Sequence, residues 1–170
     1  SDAADPHAPP DLAMRAADIG AVMDAAGCGR AALLGASDGV SAALLFAATH
    51  PQRLRALILY GGHAGLGPVA AEARRSRGAG EAAEAGWGSG ATLARFAPGR
   101  AGDPAFAEWW GRLERLAASP TAALAHLRGN TGLDLRAVLP AVAVPILVLH
   151  RTEDAHADVR RGRELARRLK

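Results

Sequence analysis

The sequence predicts an α/β fold in which a short parallel sheet is interrupted by a helical insert. Three observations predict it. A strand pattern, a helix pattern and a second strand pattern follow one another between residues 30 and 60, which is a βαβ unit and therefore a parallel pair. A third apolar strand pattern comes much later, at residues 144–149. The residues between these two parts carry helix start signals and helical spacing.

The first helix follows a terminal loop. Residues 1–10 contain three prolines, which disfavour a helix, and Asp11 is a suitable N-cap for what comes next. Apolar residues then recur at helical spacing: Leu12, Ala16, Ile19 and Met23. Gly27 suits the end of this helix.

The βαβ unit is built from small and apolar residues. Residues 30–34 are short, apolar and bounded by glycines, which predicts a buried strand. Residues 40–48 predict a buried helix that ends before Pro51. Residues 54–60 predict the second strand, and Gly61 and Gly62 follow it.

Residues 63–140 predict a mainly helical cap without strands. Asp103-Pro104 and Ser119-Pro120 each pair an N-cap residue with proline at the first helical position. The first of these helices carries an apolar stripe at helical spacing: Phe106, Trp109, Leu113 and Leu116. We expect Trp87, Trp109 and Trp110 to pack within the cap, with one of the adjacent pair turned away from the other.

The chain then returns to the sheet. Residues 144–149 predict a third buried strand, and residues 159–169 predict an amphipathic helix. The predicted organisation is a core with a strand–helix turn over residues 1–62, a helical cap over 63–140, and a core strand, acidic loop and helix over 141–170.

Composition excludes several classes of protein. The 20 basic residues exceed the 17 acidic ones by only three and are interleaved with them, so no nucleic-acid surface is predicted. No apolar run reaches about 18 residues, which predicts no membrane span. Residues 1–6 are polar and acidic, unlike a signal peptide, and a lone cysteine, Cys28, fits a reducing, cytoplasmic compartment. The histidine and cysteine spacings predict no metal site, and no cofactor is predicted.

The strongest chemical signal is the G-x-S-x-G pattern of residues 35–39, with Ser37 at its centre. It lies between a predicted strand and a predicted helix, which is the context that a nucleophilic serine on a strained turn needs. We expect only small residues to fit at Gly35 and Gly39. The backbone N–H of Asp38, at the start of the helix, is predicted to be one oxyanion donor.

Asp154 is the second signal, because it follows the third strand and is predicted to lie at the same sheet edge as Ser37. An acid there orients a catalytic imidazole and stabilises its cationic form. Glu153 and Asp158 are the rival acids. Among the six histidines, His63 is the best local substitute for a catalytic base, because it follows the second strand at that edge.

These residues resemble the α/β-hydrolase family, and in particular the branch associated with bacterial class III adenylate and guanylate cyclases. The resemblance is carried by residues 31–37 (AALLGAS), 45–51 (LFAATHP), 109–110 (WW) with 114–116 (ERL), and 139–152 (LPAVAVPILVLHRT). It implies that Ser37 is the nucleophile and Asp154 the triad acid of a serine hydrolase. Such an enzyme forms an acyl-enzyme on a small hydrophobic ester or acyl substrate and needs no cofactor.

The departures from the family imply an internal fragment. Family members place the catalytic histidine after one more strand, beyond Lys170, and take a second oxyanion donor from a His-Gly loop before Ser1. Val40 stands where a second glycine is common, and residues 156–159 replace a more apolar loop. We therefore expect the chain to be inactive alone. The alternatives are a hydrolase-like sensing or regulatory module linked to a nucleotide cyclase domain, and a degenerate, non-catalytic fragment.

Overall fold

The computed structural model describes residues 11–65, 86–129, 133–154 and 157–169. The chain divides into two compact units. The sheet unit contains Pro10–Leu66 and Leu133–Lys170, and the helical unit contains Ser1–Pro9 and Gly67–Gly132. The domain boundaries predicted at 62/63 and 140/141 stay a prediction. The predicted terminal loop, over residues 1–10, lies outside the described residues.

In the described residues the sheet has three parallel strands, as predicted. They are β1 (Ala31–Ala36), β2 (Leu54–Tyr60) and β3 (Ile146–Leu149), in the order β1-β2-β3. Leu34 pairs with Ile58 and Ile58 with Leu147, so the register runs straight across the sheet. Because all three strands are parallel, their carboxyl ends lie along one edge. That edge carries the segments that follow each strand.

The helices are α1 (Leu12–Ala25), α2 (Gly39–Thr49), α3 (Leu93–Phe96), α4 (Pro104–Ala117), α5 (Pro120–Gly129) and α6 (Val159–Arg168). Five of these helices lie close to their predicted positions, and the short helix α3 was not predicted. Asp11 caps α1 by accepting a hydrogen bond from the Met14 N–H at 2.7 Å, and Asp103 caps α4 by accepting one from Phe106 at 3.1 Å. These caps satisfy amides that the first helical turn cannot.

The core of the sheet unit lies between one face of the sheet and the helices α1, α2 and α6. Its largest fully buried side chains are Phe46, Leu44, Leu54, Leu57, Leu59, Leu165 and Val40. The alanines of α2 let this helix approach β1 closely, and Ala43 and Ala47 are both buried. Burial of each large apolar side chain stabilises the folded state by about 1.5–3 kcal/mol.

The other face of the sheet is apolar and open among the described residues. Leu34 on β1 is 62% exposed and Leu147 on β3 is 52% exposed, although the opposite face of the same strands packs against the core. Tyr60 and Leu149 continue this face along the next register row. Neighbouring exposed apolar side chains on a sheet are normally covered by another layer.

The helical unit is held by a buried carboxylate. Glu114, on α4, is 4% exposed and accepts hydrogen bonds from the Gly88 N–H at 2.8 Å, from Trp110 Nε1 at 3.1 Å and from the Thr92 hydroxyl. The side of α4 that carries Glu114 also carries Gly111. The backbone of residues 88–90 packs so closely against Gly111 that a side chain there would collide with it. The polar side of α4 is therefore the buried one.

The predicted apolar stripe of α4 is exposed instead. Trp109, Leu113 and Leu116 are all exposed, Leu116 to 76%. Trp110 is partly buried, and its ring centroid lies 6.3 Å from that of Trp109, so the two rings are not turned away from each other as expected. The expectation that Trp110 packs within the cap is met, as is that for Trp87, whose Nε1 donates to the Ala118 carbonyl at 2.8 Å. Trp109 is half exposed, but it also packs within the unit, because its ring stacks on that of Phe106 with centroids 5.2 Å apart.

Two other boundaries differ from expectation. β1 continues through Gly35 to Ala36, and β3 begins at Ile146 rather than at residue 144. Pro145 has no N–H, but its carbonyl accepts from Leu57 at 2.8 Å, so the ladder starts there on one side only. Within residues 63–140, the described part contains helices and one isolated antiparallel bridge, between Gly65 and Asp134. In the described part, no helix is long and apolar enough to cross a membrane.

Candidate functional site

Ser37 lies on a strained turn between β1 and α2. Its φ is +52°, the one positive φ of a residue other than glycine among the described residues. Such a conformation costs about 1–3 kcal/mol for a side-chain-bearing residue and persists only where the surroundings impose it. The Ser37 side chain is exposed. The geometry is that of a serine presented at the end of a strand, as the G-x-S-x-G pattern predicts.

Hydrogen bonds and close contacts impose this turn. The Ser37 N–H donates to the Tyr60 carbonyl at 2.8 Å, and the Ser37 carbonyl accepts from Val40 at 3.2 Å. A Cβ at Gly35 would stand 2.9 Å from the Ala43 Cβ, so the prediction of a small residue there is correct. At Gly39 a Cβ would meet no described atom within 4 Å, so alanine would also fit there, and the expected limit to small residues stays a prediction.

A glycine that the sequence analysis did not single out supplies the second close approach. A Cβ at Gly62 would stand 2.8 Å from the Ser37 carbonyl oxygen and 2.5 Å from the Val40 Cβ. The second position after β2 therefore accommodates only glycine beside the turn of Ser37. The Gly61-Gly62 pair after the second strand was the available signal.

Asp38 stands at the N-terminus of α2, where the first helical amides point towards the turn. Its side chain makes no capping hydrogen bond to the helix. It faces α1 instead, where Arg15 Nη2 lies 3.3 Å from Asp38 Oδ2 and 3.3 Å from the Asp38 carbonyl oxygen. The sequence analysis missed Arg15, which has no local signal because it lies 23 residues earlier.

Asp154 follows β3 at the edge that also carries Ser37. Its Oδ1 accepts from the Ala157 N–H at 2.9 Å, which closes the loop after the strand. A carboxylate has acceptor capacity for about four hydrogen bonds, and the bond to Ala157 uses one. Two interstrand spacings separate the ends of β1 and β3, about 10 Å. An imidazole between Ser37 and Asp154 spans part of that distance.

The rival acids differ in their surroundings. Asp158 caps α6 by accepting from the Arg160 N–H at 2.8 Å. Its side-chain bond to Arg160 is the main cause that lowers the pKa of Asp158 from 3.8 to about 2. Glu153 is exposed in the turn before Asp154. Asp158 is thus engaged in holding its own helix.

Two of the described histidines pack against neighbouring residues of the sheet unit. His50 stacks on Phe46, with ring centroids 4.9 Å apart. His150 Nε2 lies 2.8 Å from the Ala157 carbonyl, and its ring packs against Gly162. His63 follows β2 and is half-buried, and His126 lies on α5. His7 and His156 lie outside the described residues.

Within the described ranges, no side chain hydrogen-bonds to the Ser37 hydroxyl, so this part of the chain supplies no base in contact with it. The same ranges contain no group of three or more histidine, cysteine, aspartate or glutamate side chains that could hold a metal ion. The structure brings together Ser37 and the Asp38 amide, and places Asp154 on the same edge. It leaves the general base unassigned.

No protein-family model and no curated protein sequence matches the chain. Solved structures do. A hydrolase from Pseudomonas aeruginosa PA01 is 24% identical with a TM-score of 0.74, over 99% of this chain and 64% of that one. The enol-lactonase from Burkholderia xenovorans LB400 is 25% identical with a TM-score of 0.74, over 96% and 63%. A thermophilic esterase from Thermogutta terrifontis is 26% identical with a TM-score of 0.73, over 95% and 61%.

These similarities cover nearly the whole of this chain but less than two thirds of each of those chains. Together with the three parallel strands and the helices that follow them, they show a partial α/β-hydrolase fold.

Proposed function

We propose that this chain is part of a serine hydrolase of the α/β-hydrolase type that acts on ester or acyl substrates through an acyl-enzyme. Ser37 attacks the substrate carbonyl, and the Asp38 N–H donates to the oxygen on which negative charge develops. Asp154 orients the histidine that takes and returns the proton. The similar solved structures include hydrolases named as a lactonase and an esterase, which supports an acyl substrate.

One observation carries this proposal: Ser37 has a φ of +52° on the turn between β1 and α2. A structural turn at this point would be less strained with glycine or asparagine. A serine held there at a cost in stability is explained by a need for its hydroxyl. The position of Asp154 after β3, on the same edge, adds independent support.

We further propose that the complete hydrolase contains more than this chain. The chain spans 61–64% of the similar structures quoted above. The open apolar face that includes Leu34 and Leu147 fits a sheet that another layer covers in the complete protein. The catalytic histidine and the second oxyanion donor then belong to that remaining part.

The test is esterase activity of the complete parent protein on short-chain aryl esters. Ser37→Ala removes the nucleophile, and we expect kcat to fall by at least about a thousandfold. Asp154→Asn leaves the imidazole wrongly oriented, and we expect a loss of up to about ten-thousandfold.

Ser41→Ala is the matched control, because it also removes a serine hydroxyl close to the turn. The hydrogen bond from Ser41 to the Asp38 carbonyl comes from the backbone N–H and is kept in this variant. Its activity stays near that of the parent. Full activity of Ser37→Ala would refute the proposal. Full activity of Asp154→Asn would refute the role of Asp154 alone.

The alternative of a sensing or regulatory module linked to a nucleotide cyclase stays a prediction, since no observation in the described residues bears on it. A substrate that is small and hydrophobic is likewise a proposal drawn from the sequence.

A further inference from the structure

Asp38 places a negative charge beside the proposed oxyanion site. Its backbone N–H is the proposed donor, and covalent geometry keeps its carboxylate within about 5 Å of that nitrogen. A carboxylate at this distance opposes the negative charge that develops on the substrate oxygen. A hydrolase built in this way needs something that offsets the charge of Asp38.

Arg15 is placed to offset it. A single guanidinium nitrogen, Nη2, lies 3.3 Å from Asp38 Oδ2 and 3.3 Å from the Asp38 carbonyl oxygen. The Arg15 side chain is 15% exposed and the Asp38 side chain 42%, so the pair is partly screened by solvent. The Asp38 carboxylate makes no bond to the amides of its own helix. Arg15, on a different helix, is a charged partner of this carboxylate.

The same contact holds the turn mechanically. Arg15 and the Ser41 N–H both bond to the Asp38 carbonyl oxygen, Ser41 at 3.1 Å. Ser37, the residue before Asp38, is the strained one, and such a conformation persists only where the surroundings impose it. Arg15 therefore bonds to both the charge and the backbone of the residue that follows the nucleophile.

We propose that Arg15 is a positioning residue of the hydrolase, which compensates the Asp38 carboxylate so that its charge does not oppose the developing oxyanion. The inference rests on the function proposed above. Arg15 touches no substrate atom in this role and acts only through Asp38. Its loss should therefore lower kcat and leave KM nearly unchanged, since substrate and transition state differ in charge at the carbonyl oxygen.

The test is a double-mutant cycle on kcat in the complete parent protein, with Arg15→Met, Asp38→Asn and the double variant. We expect Arg15→Met to lower kcat about fivefold to tenfold, as suits a partly solvated pair of charges. In the Asp38→Asn background the same Arg15 substitution should cost clearly less, because no charge remains to be compensated and only the bond to the Asp38 carbonyl is lost. Arg15→Lys should restore most of kcat, since the ammonium carries the same charge.

Arg53→Met is the matched control. Arg53 also ties α1 to the start of β2, through Asp24 at 2.6 Å and the Gly29 carbonyl at 2.9 Å, but at the opposite edge of the sheet. It should lower the unfolding midpoint without lowering kcat. Activities are compared well below the lowest unfolding midpoint, and Arg15→Gln replaces Arg15→Met in the cycle if the latter does not fold.

Three results would overturn the proposal: an unchanged kcat in Arg15→Met, an equal loss in both Asp38 backgrounds, or an equal kcat loss in Arg53→Met. The second result would mean that Arg15 is a structural tie only. Ser37→Ala separates these results from a failure of the proposed function, because full activity in that variant shows that the wrong nucleophile was assigned, whatever Arg15 does.

Discussion

The backbone of Gly62 lies against the Ser37 carbonyl, so closely that a methyl group at position 62 would stand 2.8 Å from that oxygen. The Ser37 N–H also bonds to the Tyr60 carbonyl, two residues before Gly62. The segment that ends β2 therefore holds the proposed nucleophile from both its amide and its carbonyl. The strain at Ser37 is imposed from the neighbouring strand as well as from its own.

Gly62→Ala should destabilise the chain by about 1–3 kcal/mol, because the new methyl overlaps Val40 and the Ser37 carbonyl and the backbone must shift. Gly39→Ala is the matched control, since a Cβ there meets no described atom within 4 Å. As a helix residue it should be neutral or stabilising by up to about 1 kcal/mol. Urea unfolding of both variants checks this, and equal stabilities would contradict the close approach at Gly62.

Glu114→Gln should destabilise the helical unit by about 1–3 kcal/mol. The amide nitrogen of glutamine cannot accept the hydrogen bonds that the carboxylate takes from Gly88, Thr92 and Trp110, so at least one buried donor loses its partner. Glu108→Gln, on the exposed side of the same helix, should change stability by less than about 0.5 kcal/mol.

The measurement for this pair is urea unfolding followed by tryptophan fluorescence, because Trp110 bonds directly to Glu114. If both glutamine variants unfold at the same urea concentration, the buried network around Glu114 does not stabilise the unit.

The Asp158 carboxyl should titrate with a midpoint near pH 2, below its ordinary pKa of 3.8, chiefly because of its hydrogen bond to Arg160. The lowered pKa means that the folded state favours the charged carboxylate over the protonated acid more strongly than the unfolded state does. The resulting stabilisation is therefore complete above about pH 4 and is lost as the pH falls towards 2. An NMR titration of the carboxyl carbon measures the midpoint directly.

Arg160→Gln should raise that Asp158 midpoint towards 3.8. Arg167→Gln is the control, because Arg167 lies on the same helix and its Nε bonds to the Arg163 carbonyl rather than to Asp158. An Asp158 midpoint that does not move in Arg160→Gln would show that this ion pair does not lower the pKa.

The sheet and its helices were predictable because the signals are local. Alternating strand and helix patterns gave three parallel strands, and the N-caps Asp11 and Asp103 lie where the sequence puts them. Ser37 was predictable from small residues flanking it between a strand and a helix. The Asp38 amide follows Ser37 covalently, so it needed no separate signal.

The parts that the sequence did not predict depend on contacts between distant segments. The sequence around Arg15 predicts only a solvated residue on α1. Packing of α1 beside α2 brings Arg15 to Asp38. The stripe of Trp109 and Leu116 predicted the buried side of α4, yet the Gly88 loop bonds to Glu114 on the other side. Periodicity shows which residues share a face, and only tertiary packing shows which face is covered.

The 170-residue chain alone should hydrolyse short-chain aryl esters no faster than buffer. A serine hydroxyl is a weak nucleophile unless a base takes its proton, and none of the described side chains hydrogen-bonds to the Ser37 hydroxyl. Loss of the base costs up to about a millionfold in kcat, and loss of one oxyanion donor about a hundredfold to a thousandfold. These losses overlap and do not multiply, but either one brings turnover below the background rate.

Release of the aryl alcohol by the isolated chain, compared with that by its Ser37→Ala variant, measures this. Activity that Ser37→Ala removes would show that a group within the chain serves as base. His63 is then the first residue to substitute, because it follows β2 directly after Gly62, whose backbone lies against the Ser37 carbonyl. Loss of that activity in His63→Ala, but not in His50→Ala, would assign the base to the edge of the sheet where Ser37 lies. The proposal that the general base belongs to the remaining part of the hydrolase would then be wrong.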